Sequence, residues 1–311
     1  MSTRERYNPW LRLVRLPNLL TVPGDPVAGF LLAASSGVLP AGAAVSLAFS
    51  AGAAFCLYAF GLILNDLLDL ATDQRERPER PLPAGEISVL QARVAAVAMA
   101  VSGLNLALFA GRSALYVAAA LSACIVLYNG GLKRVPVVGL WTMGLCRGLS
   151  LLLGAVAVRP ALLSSVSAAD APVLVAAVGL TLYVAGFSAV AKREADAEKS
   201  AGKVKWLPFL SLLIFLPVLI GLISAQRKLD PFMPTVYAFL MAITLLRAWL
   251  LGGILYRLQP VPVTVGGHIR NLLMLQGCLC AAAGPHGLLP AVLFTLLSLV
   301  FQRLSAHFYS S

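Results

Sequence analysis

Ten apolar runs recur along the chain, near residues 10–35, 43–64, 88–110, 114–129, 136–157, 171–190, 205–224, 231–256, 266–283 and 287–304. A helix needs about 20 residues to cross a bilayer, so several runs are long enough and a few are marginal. Helix is the expected state throughout, because a backbone facing lipid must satisfy its own hydrogen bonds. Pro17, Pro23 and Pro26 interrupt the first run, which predicts a kinked or broken helix there. Only Gly284-Pro285-His286-Gly287 separates the last two runs, which fits two short spans or one helix with a re-entrant turn. The pattern predicts an all-α, multi-pass transmembrane helical bundle of nine or ten spans, with residues 1–311 forming one integral membrane domain.

The polar segments between the runs orient it. Arg4, Arg6 and Arg12 lie at the start, Arg75, Arg77 and Arg80 after the second run, and Lys133 and Arg134 after the fourth. Lys192, Arg193, Lys199, Lys203 and Lys205 follow the sixth. With a cytoplasmic start all of these face the cytoplasm, as the positive-inside rule requires; Arg227-Lys228 is a short exception. The net charge of +11 is read as loop lysine and arginine, and no basic stripe with interleaved aromatics marks a nucleic-acid partner. Apolar residues make up 59% and charged residues 12%, about half the charged share usual in a soluble domain. The opening MSTRERYNPWLRLVRLP has no small-residue cleavage pattern, so no secretory signal is expected. Cys56, Cys124, Cys146, Cys278 and Cys280 show no zinc spacing and are expected to be buried free thiols. His268, His286 and His307 are expected in loops or the tail, without ligand spacing.

The chemistry is concentrated after the second run, in NDLLDLATDQRERPERPLPAGEIS, residues 65–88. Asp66, Asp69 and Asp73 are three and four apart, so a helix continuing through them would carry all three on one face. Ionisable groups at a membrane boundary are expensive, and an acidic face followed by arginines suits a divalent metal that in turn holds a polyphosphate. A second acidic segment, Glu194 to Glu198, follows the sixth run; Glu194 and Glu198 share a helical face and Asp196 points away. Two such clusters can each bind magnesium and bridge a diphosphate, with Arg77, Arg80 and Lys133 sharing its charge. Apolar walls would shield an allylic cation from water as the diphosphate leaves.

Each of these residues also has a plainer reading. The first cluster can be a cap and salt-bridge network at a span end, and Glu194 and Glu198 a solvated stretch alternating with lysines. Lys133 beside Arg134 can serve topology alone. Asp25 and Asn18, in the broken first run, can bind an acceptor, with Asp25 also open to a general-base role, or merely cap a half-helix after Pro23 and Gly24. Arg147, deep in the fifth run, can line a cavity or sit in a structural ion pair. The glycines of runs three to five read as packing positions. A different class of protein, an ion- or proton-coupled transporter with intramembrane carboxylates, also fits acids and broken helices. Against it stand the arginines directly after the first acids, which a cation path would not favour.

The stretch from Asn65 to Ser88 resembles the first motif of the UbiA superfamily of intramembrane prenyltransferases, NDxxDxxxD followed by RPxRPLPxGxIS. Glu194, Glu198 and Gly202 are similar to its second motif, DxxxD with a glycine four residues on, but carry glutamate in place of aspartate. Tyr128-Asn129-Gly130-Gly131-Leu132-Lys133 resembles the family's tyrosine-to-lysine stretch after span four. The resemblance implies a helical bundle with a central lipid-accessible cavity and Mg2+-dependent prenyl transfer from a polyprenyl diphosphate to a small acceptor. It implies Asp66, Asp69, Asp73, Glu194 and Glu198 as metal ligands, and Asn65, Arg77, Arg80, Tyr128 and Lys133 around the donor. Residues 15–33 and 143–155 resemble a branch called EboC, which implies a cyclitol-like acceptor in place of an aromatic one.

Overall fold

The computed structural model describes residues 8–34, 39, 41–194, 202–226, 232–258 and 260–309, and every regular element among them is a helix. The interrupted first run becomes three short helices: α1 (Pro9–Leu13), α2 (Leu16–Leu19) and α3 (Gly24–Ala33). Pro9 and Pro17 sit at helix starts, where the missing N–H breaks no bond. Asn8 caps α1, its side-chain oxygen accepting from the Trp10 N–H at 2.9 Å.

Longer helices follow: α4 (Ala43–Leu68), with the short α5 (Leu70–Glu76) after it, then α6 (Val89–Ala110), α7 (Arg112–Gly130), α8 (Val138–Val158) and α9 (Ala171–Glu194). The chain ends in α10 (Leu207–Gln226), α11 (Phe232–Gly252), the short α12 (Ile254–Leu258), α13 (Val261–Ala282) and α14 (Leu288–Tyr309). Among the described residues, seven helical segments are long and apolar enough to cross a membrane. They are 43–68, 89–110, 112–130, 138–158, 168–192, 202–226 and 232–258; α3 and Pro285–Phe301 are shorter apolar segments. Ser88 and Gln91 form a reciprocal capping box that starts α6. Gly111, at φ +139, makes the one-residue turn into α7 that a Cβ would strain.

Helix α6 turns small residues inward and large apolar ones outward. On α6 the buried positions are Ala92, Ala96, Gly103, Ala107 and Ala110, while Val94, Val97, Val101 and Leu108 are exposed. That is the arrangement expected in lipid, where close backbone packing holds helices together and bulky side chains meet the acyl chains. Gly103 shows the close approach: a Cβ there would lie 2.8 Å from the Leu57 side chain of α4.

Successive helices pack as neighbours, and α3 lies between α4, α8, α9 and α13. All of α3 except Val27 is buried. Its crossing with α8 is at backbone contact: a Cβ on Gly29 would strike the Leu151 carbonyl, and one on Gly154 the Pro26 carbonyl. One histidine expectation is overturned here. His268 is inside α13 and 1% exposed, bonded to the Tyr183 hydroxyl by its Nδ1 (3.2 Å) and its carbonyl (3.1 Å). The segment through Gly266-Gly267 is helical, and α13 packs on α9 and α11. His307 likewise falls within α14, whereas His286 is exposed in the turn before that helix. The cysteines are free, with Cys278 and Cys280 buried and the other three half-buried.

Candidate active site

The three aspartates do not lie on one continuous helix. α4 ends at Leu68, Asp69 adopts φ −94 and ψ 2, and α5 restarts at Leu70. The break turns the carboxylates toward different cations. Asp66 accepts from Arg15 at 3.1 Å and lies 3.7 Å from Arg80. Asp73 accepts from Arg80 at 2.6 Å, so Arg80 bridges the first and third aspartates. Asp69 instead holds the Lys133 ammonium at 2.6 and 2.7 Å. Asn65 joins the two groups, accepting from Lys133 at 3.1 Å and donating to Asp66 at 3.3 Å.

The outcome is one connected network in which three carboxylates face three cations. Asp66 and Asp73 are each 4% exposed, so these charges are held largely away from water. Among the described residues no group of three or more His, Cys, Asp or Glu is gathered as a metal cage. The carboxylate donors are of a type that magnesium takes. Magnesium takes one or two carboxylates and completes its shell with phosphate oxygens and water, and the cations released from the aspartates would then meet the phosphate charge.

Beside this network opens a cavity of about 310 Å3, within the size range of small-molecule sites. Arg15, Asn18, Asn65, Tyr128, Asn129 and Arg147 supply much of its polar lining, and apolar side chains such as Leu121, Val184 and Leu272 supply the rest. Arg147 is nine residues into α8, so it lies about 13 Å along the helix from the Lys133 end.

Asp25 is placed differently from the acceptor-contacting or capping role open to it in the sequence. It is 0% exposed, does not line the cavity and caps no helix. Its Oδ2 lies 2.9 Å from Arg147 Nε, and its Oδ1 accepts from Gln276 at 2.7 Å. Arg147 therefore realises both of its readings, as ion-pair partner and as cavity wall. Its guanidinium donates to the Thr21 carbonyl at 3.0 Å and stands 6.0 Å from the Tyr58 ring centre.

Arg77 is exposed, its backbone N–H closing α5 on the Asp73 carbonyl at 2.8 Å. Glu194 ends α9, while Asp196 and Glu198 lie outside the described residues. Sequence reasoning passed over Arg15, which lines the cavity, pairs with Asp66 and takes a left-handed φ of +46. Such backbone strain in a non-glycine residue collects at functional sites. Gln276 was missed as well; nothing local distinguishes it, since its partner is 251 residues away.

A sequence profile described as the UbiA prenyltransferase family matches residues 26–266, most of the chain. The chain belongs to the UbiA prenyltransferase family. Among its UbiA relatives, the digeranylgeranylglyceryl phosphate synthase of Methanopyrus kandleri is 33% identical over 141 residues, 45% of this chain and 48% of that protein. The chain spans about half the length, or less, of the curated relatives it matches. A ligand-free UbiA homologue from Aeropyrum pernix K1 superposes with a TM-score of 0.60 at 18% identity, covering 84% of this chain and 96% of that one. A UbiA homologue from Archaeoglobus fulgidus bound to GPP and Mg2+ gives a TM-score of 0.57 at 17% identity, covering 85% and 98%. The helical bundle is thus the UbiA fold.

Proposed function

We propose that this UbiA family member is an integral membrane, magnesium-dependent prenyltransferase. It moves a prenyl group from a polyprenyl diphosphate to a small acceptor, at a site opening toward the cytoplasm. The observation that carries the reading is the connected carboxylate–cation network at the edge of an apolar cavity. Asp66, Asp69 and Asp73 would hold one magnesium, with Glu194 and Glu198 holding a second. When bound, magnesium neutralises charge building on the leaving diphosphate. Lys133, Arg80 and Arg15 bind phosphate oxygens once their carboxylates turn to metal, and the exposed Arg77 joins them. Asn65 and Tyr128 stand between this end and the cavity, where the apolar wall keeps water from the allylic carbon. The homologue bound to GPP and Mg2+ supports the donor class. Asn18 and Arg147 form the acceptor pocket, with Asp25 behind Arg147.

The transporter reading is less well supported. Arg15, Arg80 and Lys133, set beside the carboxylates, would repel a passing cation but attract a diphosphate. The test is release of pyrophosphate from geranylgeranyl diphosphate by protein in nanodiscs. Release should require magnesium or manganese, stop with a chelator, and vanish in Asp66→Ala while far-UV circular dichroism shows the protein still folded. Chelator-resistant release, or full turnover in Asp66→Ala, would overturn the assignment.

A further inference from the structure

The cavity is electrically balanced, and this limits what it accepts. Among the described residues that line it, only Arg15 and Arg147 are charged. Arg15 is matched by Asp66 at 3.1 Å, and Arg147 by the fully buried Asp25 at 2.9 Å. When the donor is bound, Arg15 serves the diphosphate end, so Arg147 is the one cation left to greet an acceptor. Its charge is already answered by Asp25, which Gln276 holds in place from α13. A carboxylate or phosphate brought there would stand near the Asp25 carboxylate with no unspent positive charge to offset it, at low dielectric.

The polar groups that keep open hydrogen-bonding capacity toward the cavity are neutral. Ser150 is 4% exposed and lines the cavity, its hydroxyl facing the Asp25 carboxylate and its oxygen lone pairs able to accept from a ligand. Asn129 is 6% exposed and also lines it. Its amide nitrogen donates to the Ile125 carbonyl at 3.0 Å, leaving the side-chain oxygen unpaired. Buried polar atoms without partners are uncommon and call for a ligand or water. The Asn129 amide oxygen and the Ser150 oxygen both accept a hydrogen bond and neither carries charge, so the complement is a neutral donor, a hydroxyl.

We infer that the acceptor is a neutral, hydroxyl-bearing molecule, selected against anionic analogues by the Asp25–Arg147 pair, with Asp25 and Gln276 as positioning residues. This rests on the prenyltransferase reading. In the transfer, the allylic carbon–oxygen bond to diphosphate breaks and its electron pair leaves on pyrophosphate. A lone pair of the acceptor hydroxyl forms the new carbon–oxygen bond, giving an ether. The hydroxyl proton passes to the departing pyrophosphate, since no carboxylate lines the cavity among the described residues.

The experiment compares benzyl alcohol with benzoate, rings of like size that differ in charge, binding to the full-length protein in nanodiscs by ligand-observed NMR. Wild type should bind benzyl alcohol at least tenfold more tightly than benzoate. Asp25→Asn frees the Arg147 charge and should tighten benzoate at least tenfold, and adding Arg147→Gln should abolish that gain. Benzoate binding wild type as tightly as benzyl alcohol, binding of neither ring, or a folded Asp25→Asn with unchanged preference would each overturn the inference. If Asp25→Asn does not fold, the wild-type comparison decides alone. Magnesium-dependent retention of labelled geranyl diphosphate, measured on the same preparations, reports separately on the prenyltransferase reading.

Discussion

Gly154→Ala should act at a distance on Arg147, through the crossing of α3 and α8. The added Cβ would strike the Pro26 carbonyl, which is backbone and cannot swing aside. The helices must therefore part, by on the order of 1 Å to regain van der Waals contact. Asp25 is the residue before Pro26 and moves with it. Its contacts of 2.9 Å to Arg147 and 2.7 Å to Gln276 would stretch beyond hydrogen-bond range. Overpacking a tight site costs about 1–3 kcal/mol, and breaking a buried ion pair outright about 3–5 kcal/mol. A stretched pair loses only part of the latter, so the expected destabilisation is about 2–5 kcal/mol. Gly130→Ala is the control: it has nothing within 4 Å of its added Cβ and should change stability by about 0.5 kcal/mol at most. The assay is equilibrium unfolding in detergent, repeated with Asp25→Ala and with the double variant. Because both changes loosen one contact, the double variant should fall short of additivity by more than about 0.5 kcal/mol. Equal stability of Gly154→Ala and Gly130→Ala, or strict additivity with Asp25→Ala, would refute the coupling.

Lys133→Met leaves Asp69 and Asn65 without their shared cation, and loss of a charged hydrogen bond worth about 2 kcal/mol should lower kcat/KM for the donor roughly thirtyfold; steady-state kinetics with geranylgeranyl diphosphate check it, and an unchanged value refutes it. In the second acidic segment, the four-residue spacing of Glu194 and Glu198 would place both on one face of any helix that carried them, so Glu194→Ala and Glu198→Ala should each lose most activity while Asp196→Ala keeps it. Initial rates at saturating magnesium decide, and a dead Asp196→Ala beside an active Glu194→Ala would show that the metal was given to the wrong carboxylates. Tyr183→Phe removes the hydroxyl that Asn271 donates to at 3.2 Å and that meets His268. Both neighbours are buried, so the loss should be about 1–3 kcal/mol of unfolding free energy, read by thermal denaturation; an unshifted transition would mean the bonds are replaced.

The local features of this protein were written in its local sequence. Bilayer-length apolar runs became helices because lipid leaves the backbone no other partner, and the prolines of the first run broke it where they stood. The Asn65 to Ser88 motif announced the acidic end of the site, since its residues are close together in the chain. The helical continuation through Asp69 did not hold, and its carboxylate meets Lys133, 64 residues away, while Asp66 and Asp73 turn to Arg80. Partners of this kind have no sequence signal. Arg15 meets Asp66 across 51 residues, and Gln276 meets Asp25 across 251. Whether Arg147 was a free cation or half of a pair depended wholly on which helix came to lie beside α8. That choice was settled by Gly29 and Gly154, whose missing side chains let α3 approach to backbone contact and carry Asp25 to the guanidinium. The sequence by itself determined which segments enter the membrane and which residue types can handle a diphosphate. Only the tertiary structure decided how the charges cancel, because a Coulomb energy depends on separation in space and not along the chain.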